Sequence, residues 1–222
     1  MGAISRIPDA TVARLPLYLR GLEEFPVGVA ATVSSEDLAA LAGVNAAKVR
    51  KDLSHLGTYG TRGVGYDSDF LRFEIGRALG LANTWSVVLC GIGNLGRALA
   101  NHSGFTDRGF PVVAAIDTDP DKIGTVLDGV PVHAPAELEL VVQRYGIALG
   151  VIATPPDAAQ GAADRLVDAG IRSIMSFAPT VLTVPEGVEV RAVDLSAELQ
   201  ILGFHLHRAL LRDGPPSADR GR

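Results

Sequence analysis

A short apolar segment, Val87-Val88-Leu89-Cys90, runs directly into Gly91-Ile92-Gly93-Asn94-Leu95-Gly96, and a helical pattern follows. This arrangement constrains the chain more than any other stretch, because strand, G-x-G-x-x-G turn and helix in that order open a dinucleotide-binding α/β sheet. Gly91 permits the tight turn, Gly93 lets a pyrophosphate approach the backbone, and Gly96 lets helix and strand pack closely. A Gly-rich turn that only packs is the competing explanation. Asp117 closes the next strand, 26 residues after Gly91, slightly beyond the usual spacing of about 20 for the carboxylate that holds ribose hydroxyls. That carboxylate would repel a 2′-phosphate, and Thr118, Asp119 and Pro120 offer no arginine to receive one, so NAD is favoured over NADP. The residues expected around the cofactor are Gly91, Ile92, Gly93, Asn94, Leu95, Gly96, Asp117, and, at two later strand ends, Thr154 with Phe177, Ala178 and Pro179.

The rest of this half alternates strands and helices. Strands are predicted at 86–90, 112–116, 148–153, 172–176 and 188–193, and helices at 95–101, 138–145, 158–169 and 197–211. Continuous apolar strands in strict alternation with helices predict a Rossmann-like parallel sheet covered on both faces, over residues 83–212. The last helix carries Leu199, Ile201, Leu202, Phe204, Leu206, Leu210 and Leu211 around more than one face, so it needs covering on several sides and reads as a dimerisation helix. Residues 213–222, with Gly, Pro and mixed charge, are expected to form a disordered tail. An apolar content of 47% with 20% charged residues is enough for a folded core. The single cysteine, Cys90, leaves no intramolecular disulfide and no Cys-rich zinc site, and it reads as a core residue. No apolar run approaches the roughly 20 residues of a membrane span, and a signal-peptide layout is lacking, so the expected location is cytoplasmic.

The first 82 residues differ in pattern. Val12, Leu15, Leu19 and Leu22 predict one helix face between Pro8 and Phe25, with Pro16 as a local disturbance. Ser34 or Ser35 then caps a short helix that ends near Gly43, and Asn45 or Ala46 opens another bearing Val49, Leu53 and Leu56 on one side. Two short helices joined through Gly43-Val44-Asn45 make a helix-turn-helix. Residues 57–66, GTYGTRGVGY, hold four glycines among β-formers and read as a hairpin wing. A helix is predicted over 69–81. The chain is acidic overall, at −5, yet from Ala46 to Tyr66 the basic Lys48, Arg50, Lys51 and Arg62 face one acid, Asp52. A solvated helix face accounts for such a cluster equally simply; helix, hairpin and a glycine-flanked arginine together favour DNA, since an arginine on a slim loop fits a minor groove. The expected DNA contacts are Lys48, Arg50, Lys51, Ser54 and His55 on the helix with Tyr59 and Arg62 in the wing.

Catalytic equipment is not evident. His102, His133, Tyr145, His205 and His207 are scattered without a carboxylate that spacing would place nearby, and His205 and His207, two apart, fall on different helix faces, so no metal pair is expected. A small NAD-dependent oxidoreductase with a helical dimerisation segment is the rival from another class, and it would need an acid or base beside the nicotinamide. Binding of coenzyme A or another adenine nucleotide is a third possibility, because the glycine turn reads phosphate and ribose and not the redox ring.

Val49-Arg50-Lys51-Asp52-Leu53-Ser54, then Gly60-Thr61-Arg62-Gly63-Val64-Gly65-Tyr66, the GIGNLG turn, Phe177-Ala178-Pro179 and Val193-Asp194-Leu195 together carry a resemblance. From about Ile7 to Leu211 the chain closely resembles the family of bacterial redox-sensing transcriptional repressors, Rex. The resemblance implies a homodimer with an N-terminal winged helix and a C-terminal Rossmann-like domain, which is not an enzyme. Such a repressor reads the NADH/NAD+ ratio and is released by NADH from operators of respiratory and fermentative genes. It also implies that Arg20 and Asp194 pair across subunits in one quaternary state, and that His102 and Leu195 lie near the nicotinamide or the switch. At the last two positions some members carry Tyr and Phe, and His titrates near neutrality where Tyr does not.

Overall fold

The computed structural model describes residues 7–24, 31–57, 60–61 and 63–213. The chain divides into two compact units, Met1–Asn83 and Thr84–Arg222.

The first unit begins with two helices where one was predicted, α1 (Asp9–Val12) and α2 (Leu15–Leu22). Pro16 sits in the first turn of α2, where its missing N–H costs nothing. The break changes the buried face: Val12 is exposed, Thr11 is buried, and Leu15, Tyr18 and Leu22 enter the core. A two-residue strand, β1 (Thr32–Val33), precedes α3 (Ser35–Ala42), whose N-cap Ser34 and Asp37 form a reciprocal capping box. Asn45 accepts from the Lys48 N–H and starts α4 (Ala46–Ser54). Past α4, Thr61 and Gly65 form an isolated antiparallel bridge, and β2 (Tyr66–Asp67) pairs with β1. The wing is therefore built against β1, an element the sequence pattern does not announce. Gly65 has φ +105°, and a Cβ there would lie 2.4 Å from the Val33 carbonyl oxygen, so only glycine lets the wing cross β1. The unit closes with α5 (Ser68–Ala78), capped by Asp67, three residues short of the predicted end. Leu15, Tyr18, Leu22, Leu38, Val49, Leu53, Leu71 and Ile75 share one core.

The second unit is a seven-stranded sheet. β3 (Ser86–Cys90) leads through the glycine turn to α6 (Asn94–Ala100) and α7 (Ser103–Thr106), then β4 (Val112–Ile116). A hairpin, β5 (Val126–Leu127) and β6 (Val130–His133), comes before α8 (Leu138–Tyr145), β7 (Ile147–Ile152), α9 (Pro156–Asp168), β8 (Ser173–Ser176), β9 (Glu189–Ala192) and α10 (Leu195–Asp213). The spatial order is β5-β6-β4-β3-β7-β8-β9, with β5 antiparallel and the other six parallel. Without β5 this is the 3-2-1-4-5-6 order of the doubly wound dinucleotide fold, which reverses between β3 and β7.

The expected alternation fails after β4, and β8 runs on to β9 without a helix, as the predicted spans have it. After β4 the chain folds into the β5–β6 hairpin around Asp128-Gly129, both at positive φ, which is the turn chemistry that joins two short strands. Between β8 and β9, Pro179 and Pro185 interrupt the connection, and no helix forms there. One face of the sheet packs under α8 and α9 through Val88, Ile152, Leu166 and Ile174. The other packs through Val87, Leu89, Ala115 and Val151, and there the missing β8–β9 helix leaves an apolar cavity of about 370 Å3 lined by Phe105, Phe110, Leu149, Val151 and Met175, with Glu189 and Arg191 at its rim. Along α10 the apolar Leu199, Leu202, Phe204, Leu206 and Leu211 are all more than half exposed. The expected disordered tail lies, beyond Asp213, outside the described residues.

Candidate nucleotide and nucleic-acid sites

The topological reversal places the ends of β3 and β7 beside each other, and the glycine turn lies there. Gly91 has φ +94°, and a Cβ on it would meet the Ala153 carbonyl and Thr154 Cγ2 at 2.9 Å. At Gly96 a Cβ would lie 2.0 Å from the Gly91 carbonyl oxygen, whereas around Gly93 there is open space within 4 Å. The first and third glycines thus serve close packing, and the second faces the open side from which a ligand would arrive.

Asp117, at the end of β4, ties this turn to the sheet. Its Oδ2 accepts from the Ile92 N–H (2.7 Å) and from Lys122 Nζ (3.2 Å), and its Oδ1 accepts from the Asp119 N–H (2.9 Å). Burial pushes its pKa up, but the two N–H groups and the ammonium outweigh it and hold the carboxyl below its ordinary value. Lys122 also reaches Asp119 at 3.3 Å. Lys122 stands five residues after Asp117, at a position that the glycine-turn motif does not single out. Two carboxylates around one ammonium leave the site net negative.

A cavity of about 280 Å3 opens here. Of the expected cofactor residues it brings together Gly91, Ile92, Gly93, Asp117 and Thr154. Asn94 and Leu95 are exposed on the first turn of α6, and Gly96 is buried behind the turn. The β8-end residues are not in its lining: Phe177 packs on the sheet face opposite α8 and α9, Ala178 is buried with its N–H on Ser176 Oγ at 3.3 Å, and Pro179 is exposed. The lining adds Pro135 in the turn after β6, Leu138 at the start of α8, and Ala158 and Arg165 from the first and last turns of α9. Thr154 Oγ1 is buried there without a hydrogen-bond partner. Cys90 is fully buried beneath the turn, and burial pushes its thiol up to about 12, so it is a packing residue and not a thiolate.

In the first unit α4 presents Lys48, Arg50 and Lys51 to solvent, while Val49 and Leu53 face the core. Asp52 is buried and does not belong to this surface. It receives Arg14 through Nε (2.6 Å) and Nη2 (2.8 Å), Thr11 Oγ1 (2.9 Å) and Tyr18 OH (2.7 Å). Burial raises its pKa, but the donors outweigh that and hold it below the ordinary range, and Tyr18, itself buried beside the carboxylate, is pushed up to about 12. The acid counted against the basic cluster is thus neutralised from behind. Ser54 Oγ donates to its own helix at Lys51 O (2.7 Å), and His55 is half-buried at the C-cap. Tyr59 and Arg62 lie outside the described residues. A cleft of about 570 Å3 separates the start of α3 and Arg50 from Thr61, Val64 and Tyr66 of the wing.

Of the expected switch residues, Arg20 is exposed on α2 in the first unit. In the second, Asp194 Oδ1 caps α10 by accepting from the N–H groups of Ser196 (2.9 Å) and Ala197 (3.2 Å), Leu195 is exposed at its start, and His102 precedes α7 without a side-chain capping bond, its ring edge-on to Phe105 at 5.0 Å. Among the described residues no helix is long and apolar enough to cross a membrane, and no group of three His, Cys, Asp or Glu residues is placed to hold a metal ion.

Residues 82–180 match the family model of the CoA binding domain, and residues 6–54 that of a putative DNA-binding protein N-terminus. The chain is 61% identical over 202 residues to the redox-sensing transcriptional repressor Rex of Streptomyces coelicolor, covering 91% of this chain and 78% of that one. The chain belongs to the Rex family. To Rex of Desulfitobacterium hafniense it is 45% identical, over 90% of this chain and 96% of the relative. Among solved structures it matches RSP, a Rex-family repressor. RSP in complex with β-NAD+ and operator DNA superposes with a TM-score of 0.85 at 35% identity, covering 93% of this chain and 95% of RSP. RSP in complex with β-NADH gives 0.82 at 34%, covering 93% and 97%. The Rex family thus spans both units of this chain.

Proposed function

We propose that this chain represses transcription by binding operator DNA through an N-terminal winged-helix domain, residues 1–82, and that NADH bound at residues 83–212 releases it. The observation that carries the reading is the glycine turn held by Asp117 at the β3–β7 reversal, in one chain with a basic helix-turn-helix. Gly91, Ile92 and Gly93 would receive the pyrophosphate and Asp117 with Thr154 the ribose, while Phe177, Ala178 and Pro179 border the nicotinamide side. Lys48, Arg50 and Lys51, with Ser54, His55, Tyr59 and Arg62, form the DNA surface. No bond is made or broken; the activity is a coupling free energy between two ligands.

The protein works as a homodimer, which the solvent-exposed apolar faces of α10 and the uncovered apolar sheet face support. Arg20 and Asp194 would form the pair that the interface makes or breaks, with His102 and Leu195 beside it. A repressor acts where the chromosome is, so the location is cytoplasmic. Titrating a fluorescent operator complex with NADH and NAD+ separately tests the reading: NADH is expected to dissociate it at lower concentration, and equal indifference to both would overturn it. The match to a CoA binding domain favours one second reading, an adenine nucleotide other than NAD. Coenzyme A displacing NADH at equal concentration would establish it.

A further inference from the structure

Arg50 is not a free cation on the DNA-facing helix. Its Nη1 donates to Ser35 Oγ at 2.8 Å and to Glu36 Oε1 at 3.3 Å, and Ser35 Oγ donates onward to Glu36 Oε2 at 3.3 Å. Ser35 is buried in the first turn of α3, so the guanidinium is anchored to the unit's frame and not to a passing side chain. A guanidinium has five N–H donors in a fixed plane. The two on Nη1 are used, and among the described residues nothing accepts from Nε or Nη2. What remains is one intact edge of two parallel donors, at the cleft of about 570 Å3 between the start of α3 and the wing.

The pairing is also electrostatic. Glu36 and Arg50 are both exposed, at 69% and 55%, and an exposed pair adds little to stability. Its effect falls instead on how the surface meets an anion. A phosphate is attracted by net charge, and the pair has almost none to offer. A guanine edge in the major groove, with O6 and N7 adjacent, asks for two parallel donors and no net charge.

We infer that Glu36 and Ser35 are specificity-determining positioning residues of the DNA surface, which hold Arg50 by Nη1 so that its Nε–Nη2 edge reads a guanine and contributes little to indiscriminate phosphate binding. This rests on the DNA-binding reading of the first unit. It turns an acidic residue, otherwise out of place on such a surface, into the element that separates base reading from backbone attraction.

The test uses the full-length protein, an operator duplex selected from random sequence with the parent protein, and a scrambled duplex of the same composition. Glu36→Gln is expected to raise affinity for the scrambled duplex, to steepen the salt dependence of scrambled binding by up to about one log–log unit, and to cut the operator-to-scrambled ratio about tenfold. Arg50→Lys, which keeps the charge and loses the planar edge, should lose operator affinity and keep scrambled affinity. Replacing guanines one at a time by 7-deazaguanine should cost the parent about tenfold at one operator position and cost Arg50→Lys nothing there. If Glu36→Gln and Ser35→Ala both keep the parent's ratio and salt slope while Arg50→Ala loses the operator, the inference fails and the DNA surface stands. If Arg50→Ala, Lys48→Ala and Lys51→Ala all bind the operator like the parent, the underlying DNA reading fails with it. Circular dichroism melts of each variant check that the first unit remains folded.

Discussion

Asp52 keeps its charge inside the first unit, where four hydrogen bonds from Thr11 of α1, Arg14 in the turn after it and Tyr18 of α2 tie α4 to these helices. Removing one member of a buried ion pair leaves the other without compensation, so Arg14→Met is expected to destabilise this unit by about 3–5 kcal/mol, read as a lowered melting temperature. The sign with pH follows from the depressed carboxyl. Its stabilisation is complete above the ordinary aspartate value of 3.8 and is lost as pH falls through the lower folded value. Melts of the parent should therefore drop below about pH 4 more steeply than those of Asp52→Asn. The glycine turn allows an equally sharp contrast. A side chain at position 93 meets open space, whereas one at position 96 meets the Gly91 carbonyl. Gly93→Val should thus melt like the parent yet fail to bind NADH in a fluorescence titration, while Gly96→Val should lose binding and stability together.

At the scale of elements, the sequence pattern is most legible where a period or a cap dictates one outcome. β3 and β4 fall at their predicted residues because their apolar runs are continuous and glycine or aspartate closes them. α3 and α4 start at Ser34 and Asn45 because each cap's side-chain oxygen accepts from an N–H three residues on. What escaped is what depends on partners distant in the chain. β1 is two residues long and exists only because Tyr66-Asp67 arrives beside it. The β5–β6 hairpin has a readable signal, Asp128-Gly129 between apolar alternations, and it returns the chain to β4 so that Pro135 follows at the site. Buried Asp52 could not be told from a surface acid, since its burial depends on Arg14 and Tyr18 38 and 34 residues away. On α4 the lysines, which have no ion-pair partner among the described residues, should behave unlike Arg50. Lys48→Ala or Lys51→Ala is expected to weaken DNA binding alike on all sequences and to flatten the salt dependence by about one log–log unit per lost phosphate contact, measured by fluorescence anisotropy.

For the whole molecule, α10 is the element on which the proposed homodimer is tested. Its apolar residues surround the helix and are left in solvent by one copy of the chain, so ending the chain before Ala197 should give monomers with poor operator affinity, seen in analytical ultracentrifugation and anisotropy. To move a population from 99:1 to 1:99 a ligand must favour one state by about 5.5 kcal/mol. The second unit's sheet adds a constraint of its own. One rim is β5, only two residues long, and the other is β9, where Glu189 and Arg191 stand exposed on alternate positions. Both are poor templates for an incoming strand. Crowding many copies together therefore gives little opening to sheet-to-sheet growth into fibres, and self-association through this unit's sheet edges stays finite.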